Sequence, residues 1–251
     1  MIEVLILSII QGITEFLPIS SSSHLILASN YFNFNNQNLS IDISLHIGSF
    51  AAVIFYFKKD IFNFLKNKKL FLKIFISSIP IMIIGFIITK LNLIESLRNI
   101  KVIGWTTLIF GCLLFYSDRL KDNKNIKKHL NYKSAIIIGL FQTLSLIPGV
   151  SRSGITITAA RFLNFSRYES AKVSFLLSIP TLAAISLFGI KNLINNNNFE
   201  ITSINLFSIF FSFIISFVTI KYFLKFIKKF KLTIFVVYRI ILGTIILFLI
   251  Y

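Results

Sequence analysis

Two short stretches of the sequence combine ionisable and hydroxyl side chains with residues that break helices. The first stretch covers residues 11–24 and contains Glu15, Pro18, four consecutive serines at 20–23, and His24. A carboxylate can bind a divalent cation or act as a general base, and a histidine titrates near neutral pH. This stretch therefore has the groups needed for metal binding or acid–base chemistry.

Gln11 and Glu15 are four residues apart, so their side chains share one face of a helix that ends at the break near Pro18. We interpret Glu15 as a candidate catalytic residue and metal ligand, with Gln11 beside it as a substrate-binding residue. The alternative is a structural carboxylate that pairs with Arg152 or with backbone donors.

The serines at 20–23 precede an apolar run that starts at Leu25. In this position they can cap a returning helix, and we expect Ser22 and Ser23 to act as such caps. The free N–H groups at a helix start also bind anions. Ser20 is therefore a candidate for substrate binding, and Ser21 with His24 forms a candidate nucleophile–base pair. The alternative for His24 is a satisfied interfacial histidine.

The second stretch covers residues 148–156 and combines glycines, hydroxyl side chains and one arginine, Arg152. A guanidinium group presents a planar fork to two phosphate oxygens, and free N–H groups at a helix start add further donors. The alternative role for Arg152 is to neutralise Glu15 in a structural turn, and both roles hold if the two residues pair when substrate is absent. The candidates for phosphate binding are Arg152, Ser151, Ser153 and Thr156.

A further histidine, His46, starts the first long apolar segment beside Gly48 and Ser49. Small residues of this kind let helices approach closely, so we expect this region to serve packing rather than chemistry. The sequence contains no zinc-ligand spacing, P-loop or dinucleotide-binding fingerprint.

The composition indicates where these two stretches lie. Hydrophobic residues make up 55% of the 251 residues and charged residues only 14%, whereas soluble domains carry about 25% charged residues. This excludes a cytosolic enzyme, a disordered protein and a disulfide-rich secreted module. The net charge of +17 would indicate nucleic acid in a soluble protein. Here the basic residues cluster in short gaps between apolar segments, which is typical of membrane proteins, so no nucleic-acid partner is expected.

Hydropathy predicts an all-α polytopic membrane protein that forms a single integral membrane domain over residues 1–251. The two chemically equipped stretches lie in apolar regions, residues 1–30 and 134–163, whose halves are each too short to cross a bilayer. Each region is predicted to be a re-entrant helical hairpin. Six other segments are long enough to be transmembrane helices, at about 43–58, 70–90, 100–117, 171–190, 204–220 and 232–250.

Basic loops at 58–73, 119–133 and 221–231 are predicted to be cytoplasmic by the positive-inside rule, which makes the six spans alternate. The two hairpins then enter from opposite sides. Each is followed by three spans, so residues of about 1–117 and 134–251 form an inverted-topology repeat. Such repeats place a binding site near the midplane, between their broken helices. The two stretches are therefore predicted to meet in one polar chamber.

At these residues the chain resembles the undecaprenyl-diphosphatase family, also called bacitracin-resistance proteins. The family carries Glu or Gln, three residues, then Glu-Phe-Leu-Pro-x-Ser-Ser and a histidine, which here reads QGITEFLPISSSSH at 11–24. Its second motif, Pro-Gly-x-Ser-Arg-Ser-x-x-Thr, reads PGVSRSGIT at 148–156. The segments LHIGS at 45–49 and SFLLSIP at 174–180 also resemble the family. Gln11 stands where many members have Glu, and Ser23 replaces a common Gly.

The resemblance implies six spans with two re-entrant hairpins as an inverted repeat, and a hydrolase of the bacterial inner membrane. The reaction it implies is the hydrolysis of undecaprenyl diphosphate to undecaprenyl phosphate and inorganic phosphate, at a site open to the outer, periplasmic face. This recycles the lipid carrier for peptidoglycan and so supports cell-wall biogenesis and cell shape. The resemblance also implies a divalent cation, magnesium or calcium, and bacitracin resistance, because the antibiotic captures the diphosphate form.

The mechanism expected for this reaction has Arg152 hold the terminal phosphate while Glu15 binds the metal or positions the base. Ser21 then attacks and His24 moves the proton, or a water held by Glu15 and His24 attacks directly. A polyprenyl-phosphate transporter or flippase is the alternative function, because inverted repeats with broken helices are typical of transporters. The sequence leaves the oligomeric state open, with a homodimer as one alternative.

Overall fold

The computed structural model describes the whole chain except residues 33, 35–37, 67, 92–98, 122 and 196–201. The described residues are almost entirely helical and form no β-sheet, although Lys124 and Phe165 make an isolated bridge. In chain order the helices are α1 (Ile2–Thr14), α2 (Ser21–Phe32), α3 (Leu39–Tyr56), α4 (Lys58–Lys66), α5 (Lys68–Lys90), α6 (Ile100–Asp118), α7 (Ile126–His129), α8 (Tyr132–Thr143), α9 (Arg152–Phe162), α10 (Arg167–Asn195), α11 (Ser203–Ile227) and α12 (Thr233–Ile250).

Six of the described helices are long and apolar enough to cross a membrane, which confirms the six predicted spans. They are α3, α5, α6, α10, α11 and α12. Some bounds differ by several residues: α11 ends at Ile227 rather than near residue 220, and α3 begins at Leu39 rather than near residue 43. The reason at α3 is local: the side chain of Asn38 accepts a hydrogen bond from the Ile41 amide at 2.9 Å and so caps the helix earlier than its hydropathy indicates.

The two regions that were predicted to be broken are broken in the structure. α1 has 13 residues and α8 has 12, so each is about 20 Å long, which is less than the roughly 30 Å hydrocarbon layer. After α1 the chain turns and restarts as α2 at Ser21. After α8 a short 3₁₀ segment, Leu144–Leu146, leads into a turn, and α9 begins at Arg152.

Each break ends in a serine with a left-handed backbone immediately before the returning helix. The φ angle is 76° at Ser20, before α2, and 71° at Ser151, before α9. Residues other than glycine rarely adopt positive φ, so this conformation is costly and must be held by its surroundings. In the second break Gly149 also has a positive φ of 91°, and a Cβ there would collide with the Thr106 hydroxyl and the Ile103 carbonyl.

The short helices pack against spans from the opposite half of the chain. α1 lies against α11, and α8 lies against α5, where a Cβ on Gly139 would collide with the Ser77 carbonyl. α6 and α12 form a further pair of neighbours. A cluster of aromatic rings fills the core below the first break, with the Phe16 and Phe175 rings at 5.3 Å and the Phe175 and Phe223 rings at 5.7 Å. These contacts hold both breaks inside the helical assembly.

Candidate active site

Glu15 lies directly after α1, is 7% exposed, and joins the two breaks. Its Oε1 atom is 2.9 Å from Nη2 of Arg152, which belongs to the second break. Its Oε2 atom accepts hydrogen bonds from the Ser21 hydroxyl at 2.6 Å and from Nε2 of Gln11 at 3.2 Å. Three other residues predicted for the site, from both breaks, therefore meet at the Glu15 carboxylate.

Gln11 brings His46 into this cluster. The Gln11 Nε2 atom is 3.1 Å from His46 Nδ1, and because an amide nitrogen can only donate, Nδ1 accepts. The sequence assigned the region around His46 to helix packing, so this contact extends the predicted site. The Gln11 Oε1 atom is buried and has no hydrogen-bond partner in the described part of the protein. It is therefore available as a ligand for a cation.

His24 is held by both ring nitrogens. Nδ1 donates to the Ser20 carbonyl at 2.6 Å, which leaves Nε2 of the neutral ring to accept from the Tyr238 hydroxyl, also at 2.6 Å. The two rings are also stacked, with centroids 5.7 Å apart. No hydrogen bond joins His24 to Ser21 among the described residues. The expected nucleophile–base pair is thus arranged differently, because the Ser21 hydroxyl is bonded to Glu15.

Arg152 is the first residue of α9, and its side chain is 12% exposed. Besides the bond to Glu15, its Nη1 atom donates to the Ser174 carbonyl at 3.1 Å. The guanidinium group is therefore aimed by one neutral acceptor and one carboxylate. An incoming phosphate could replace the carboxylate while the Ser174 contact keeps the group in place.

The three hydroxyl residues predicted near Arg152 are buried and bonded within the protein. The Ser151 hydroxyl accepts from the Gly154 amide at 3.1 Å and so caps α9. The Ser153 hydroxyl donates to the Leu17 carbonyl at 2.7 Å, and Thr156 donates to the Ser174 hydroxyl at 2.7 Å. These side chains hold the second break in shape and fasten it to the first.

The two remaining serine contacts lie inside the first break. The Ser20 hydroxyl is 3.0 Å from the Ser23 hydroxyl and 3.4 Å from that of Ser22. Ser20 and Ser23 are buried, whereas Ser22 is exposed. The hydroxyl of Ser20 thus supports the turn, and Ser21 alone among these serines is bonded to Glu15.

Sequence reasoning missed Arg239, which lies in α12 and is completely buried. Its Nη1 atom donates to the Pro18 carbonyl of the first break at 3.2 Å and to the Val150 carbonyl of the second at 3.1 Å. Its Nη2 atom donates to the Gly149 carbonyl at 2.9 Å, and Nε to the Thr107 carbonyl at 3.2 Å. An arginine inside an apolar span is the sequence signal that identifies it.

The charges at this junction favour an anion. Glu15 carries one negative charge, whereas Arg152 and Arg239 carry two positive charges beside the breaks. In a low-dielectric interior this excess attracts a multiply charged group such as a diphosphate. The described residues contain no group of three or more His, Cys, Asp or Glu that could hold a metal alone. A cation here would need ligands from the substrate as well as from Glu15.

Comparison with known proteins gives consistent matches over nearly the whole chain. A family model described as "Bacitracin resistance protein BacA" matches residues 4–245. A protein of Pelagibacter ubique (strain HTCC1062) named undecaprenyl-diphosphatase is 50% identical over 251 residues, covering 100% of this chain and 98% of the relative. Proteins with the same name from Saccharophagus degradans and Jannaschia sp. (strain CCS1) are 40% and 37% identical, over 94% and 98% of this chain and 93% and 97% of theirs.

Proposed function

The chain belongs to the bacitracin resistance protein BacA family, and from this we propose that it hydrolyses undecaprenyl diphosphate to undecaprenyl phosphate and inorganic phosphate. It is a membrane-embedded hydrolase, and its product is the lipid carrier used in peptidoglycan synthesis. Bacitracin captures the diphosphate form of this lipid, so the enzyme confers resistance by removing that form. The observation that carries the proposal is the buried cluster of Glu15, Arg152 and Ser21, which joins the two breaks.

We propose that the two broken regions are re-entrant hairpins related by an inverted repeat. Both restart after a serine with positive φ, Ser20 and Ser151, and the offset of 131 residues between them also relates the buried glutamines Gln11 and Gln142. The packing of α1 on α11 is matched by that of α8 on α5. Equivalent contacts between equivalent elements are the pattern that an inverted repeat produces.

The proposed site faces the outer side of the bacterial inner membrane. The positive-inside rule favours a cytoplasmic position for the lysine-rich segments 58–73, 119–133 and 221–231, of which the first is largely helical and the last begins inside α11. The first hairpin, which carries Glu15, Ser21 and His24, then enters from outside. A lipid diphosphate in the outer leaflet can therefore reach this hairpin with its head group while its tail stays between the spans.

Substrate binding begins with an exchange of partners at Arg152. The terminal phosphate takes the place of the Glu15 carboxylate on the guanidinium group, and the free N–H groups at the start of α9 add donors. Arg239 fixes the carbonyl groups of both breaks, so the N–H groups of both returning helices keep their direction. Preorganised donors of this kind supply most of the stabilisation of a phosphoryl-transfer transition state.

The chemical step follows from the 2.6 Å hydrogen bond between Ser21 and Glu15. The Ser21 oxygen attacks the terminal phosphorus, its proton passes to Glu15, and the bond to the lipid phosphate breaks. Glu15 gives that proton to the departing lipid phosphate. Water then attacks the phosphoserine, Glu15 accepts the proton of the water and returns it to Ser21, and inorganic phosphate leaves. His24, held by Tyr238, exchanges protons with the outside.

Direct attack by a water held by Glu15 and His24 stays the alternative. It predicts that no phosphoserine forms, so rapid acid quenching followed by mass spectrometry of the peptide that contains Ser21 separates the two routes.

The residues fit a divalent cation that is shared with the substrate. Glu15 and the unpartnered Oε1 atom of Gln11 are the oxygen ligands that this chain offers. Magnesium in particular uses one or two protein ligands and completes its shell with phosphate oxygens and water. The ion would neutralise charge on the diphosphate. The protein's own contribution is to hold Glu15 and Gln11 on one face of α1.

The test is a phosphate-release assay on the purified protein in detergent, where no compartments exist. Magnesium-dependent release that stops on adding a chelator is expected, and the Arg152→Ala variant should be nearly inactive. Transport of the lipid in proteoliposomes without any phosphate release would contradict the proposal and favour the flippase, which the names of the relatives do not favour. A homodimer stays a prediction, which light scattering in detergent can check.

A further inference from the structure

A polar cavity lies away from the candidate active site, between the end of α6 and the starts of α10 and α12. Its volume is 420 Å³, and its lining includes Asp118, Arg119, Arg167, Lys231 and Thr233. It shares no residue with the cluster around Glu15. Asp118 lies about 16 Å along α6 from Thr107, whose carbonyl binds Arg239 below the breaks.

The wall of this cavity is fixed by hydrogen bonds around Asp118, which is 4% exposed. Its Oδ1 atom accepts from Nε of Arg167 at 2.5 Å, and Oδ2 accepts from the Leu232 amide at 3.1 Å. Its carbonyl accepts from Arg167 at 3.0 Å and from the fully buried Arg161 at 3.3 Å. The end of α6, the start of α10 and the start of α12 are thereby joined through one residue.

The lining has more positive than negative charge. In the described lining, Arg119, Arg167 and Lys231 face one carboxylate, Asp118, which already accepts from Arg167 and a backbone amide. The guanidinium group of Arg119 lies over the Phe115 ring, 4.1 Å from its centroid, which keeps it beside the cavity. Among the described residues, neither Arg119 nor Lys231 forms an ion pair with an acidic side chain.

The start of α12 adds hydrogen-bond donors to the charged groups of the cavity. The helix begins at Thr233, which lines the cavity, and no side chain caps it. Its first N–H groups and the Thr233 hydroxyl are donors that suit phosphate oxygens. They stand beside the cations of the lining, so charge and hydrogen bonding act on the same space.

We propose that this cavity binds a phosphate group at a site separate from the active site, carried by the head group of an anionic lipid or present as inorganic phosphate. The cavity lies at the basic loops 119–133 and 221–231, where basic pockets between membrane helices recognise anionic head groups. The two sources share the same phosphate chemistry and differ in whether a lipid must be present.

Native mass spectrometry of the full-length protein in detergent tests this site, with phosphatidylglycerol, phosphatidylcholine and inorganic phosphate as probes. The double variant Arg119→Gln/Lys231→Gln removes two lining charges. The control Lys225→Gln/Lys229→Gln instead removes two exposed charges nearby, one in the last turn of α11 and one just after it. Wild type and control should retain phosphatidylglycerol, whereas the double variant should bind it at least about tenfold more weakly. Displacement by millimolar inorganic phosphate would assign the site to free phosphate, and retention to the lipid.

Equal phosphatidylglycerol binding by the double variant and the control would overturn the proposal, as would equal retention of phosphatidylcholine. Thermal unfolding of both double variants should match wild type. If the Gln substitutions lower the unfolding temperature, Arg119→Lys, which keeps the positive charge, should still bind phosphatidylglycerol as wild type does. Phosphate release in detergent should be unchanged in all variants. Because the experiment measures bound lipid, its result does not depend on whether the protein has diphosphatase activity.

Discussion

The two breaks of the helical assembly share one backbone conformation but carry different chemical groups. Both place a serine with positive φ before a returning helix, Ser20 before α2 and Ser151 before α9. At equivalent positions the first break has Ser21 where the second has Arg152, and the first has Glu15 where the second has Leu146. The first break therefore supplies the carboxylate and the hydroxyl, and the second supplies the cation.

In the inverted repeat that we propose, symmetry applies to backbone geometry and not to chemistry. A pair of identical breaks would bring together either two carboxylates or two cations, and like charges at such depth repel. The two breaks differ at these positions, and opposite charges from the two breaks meet at 2.9 Å. Substitutions at the two breaks can test whether each break supplies a different chemical group.

The largest effect is expected from separating the central pair. Arg152→Gln and Glu15→Gln should each lower phosphate release by about 10³-fold or more, because each removes one side of the charge arrangement. Arg152→Gln should also destabilise the fold, since it leaves a buried carboxylate unpaired. The double variant should recover thermal stability but not activity. Wild-type turnover in either single variant would remove that residue from the site.

The next largest effect is expected from removing the serine hydroxyls, and its size should differ between the two breaks. Ser21→Ala should lower turnover by about 10²–10³-fold, because the attacking oxygen is lost. Ser22→Ala is the matched control, since Ser22 is its exposed neighbour, and it should keep nearly full activity. Ser151→Ala should cost about 1 kcal/mol of stability through loss of the α9 cap, with a smaller effect on turnover. Equal activity of the Ser21 and Ser22 variants would favour attack by water.

Replacing Arg239 should lower the stability of both breaks at once. Arg239→Lys keeps the charge but cannot reach all four carbonyl groups, so the free energy of unfolding should fall by about 1–3 kcal/mol. Chemical denaturation monitored by circular dichroism measures this. Lys221→Arg, at an exposed position of α11, serves as a control for basic substitution. A variant as stable as wild type would show that the breaks hold their shape without Arg239.

A smaller effect is expected at Tyr238. Tyr238→Phe keeps the ring stacked on His24 but removes the 2.6 Å hydrogen bond to Nε2. Loss of one hydrogen bond is worth about 1 kcal/mol, so kcat should fall by about fivefold with KM little changed. A steady-state assay separates the two constants. An unchanged kcat would show that the Tyr238 hydroxyl is not needed for the role of His24.

The smallest effect, opposite in sign, is expected at the second of the two equivalent glutamines. Gln142 is fully buried, and neither atom of its amide has a hydrogen-bond partner in the described part of the protein. Gln142→Leu should therefore raise the free energy of unfolding by about 1 kcal/mol and leave activity intact. Gln11→Leu should instead lower activity, because Gln11 bonds to Glu15 and His46. An equal loss of activity in Gln142→Leu and Gln11→Leu would mean that both glutamines support the reaction.

Much of the fold and part of the site could be predicted from the sequence. The six long helices were predicted because a span needs about 20 consecutive apolar residues, which is a local property. Pro18 and Pro148 with their serines indicate the breaks, and the pairing of Glu15 with Arg152 is one of the two roles that the sequence predicts for Arg152. The partners of His24 could not be predicted, because Tyr238 lies 214 residues away in the chain.

The sequence by itself determined the membrane-spanning segments, the positions of the breaks and the kinds of groups carried there, since each depends on residues adjacent in the chain. The tertiary structure alone decided that Ser21 bonds to Glu15 rather than to His24, and that Arg239 ties both breaks together. The physical reason is that hydrogen bonds act over about 3 Å. Whether two groups come that close depends on how helices distant in the chain pack.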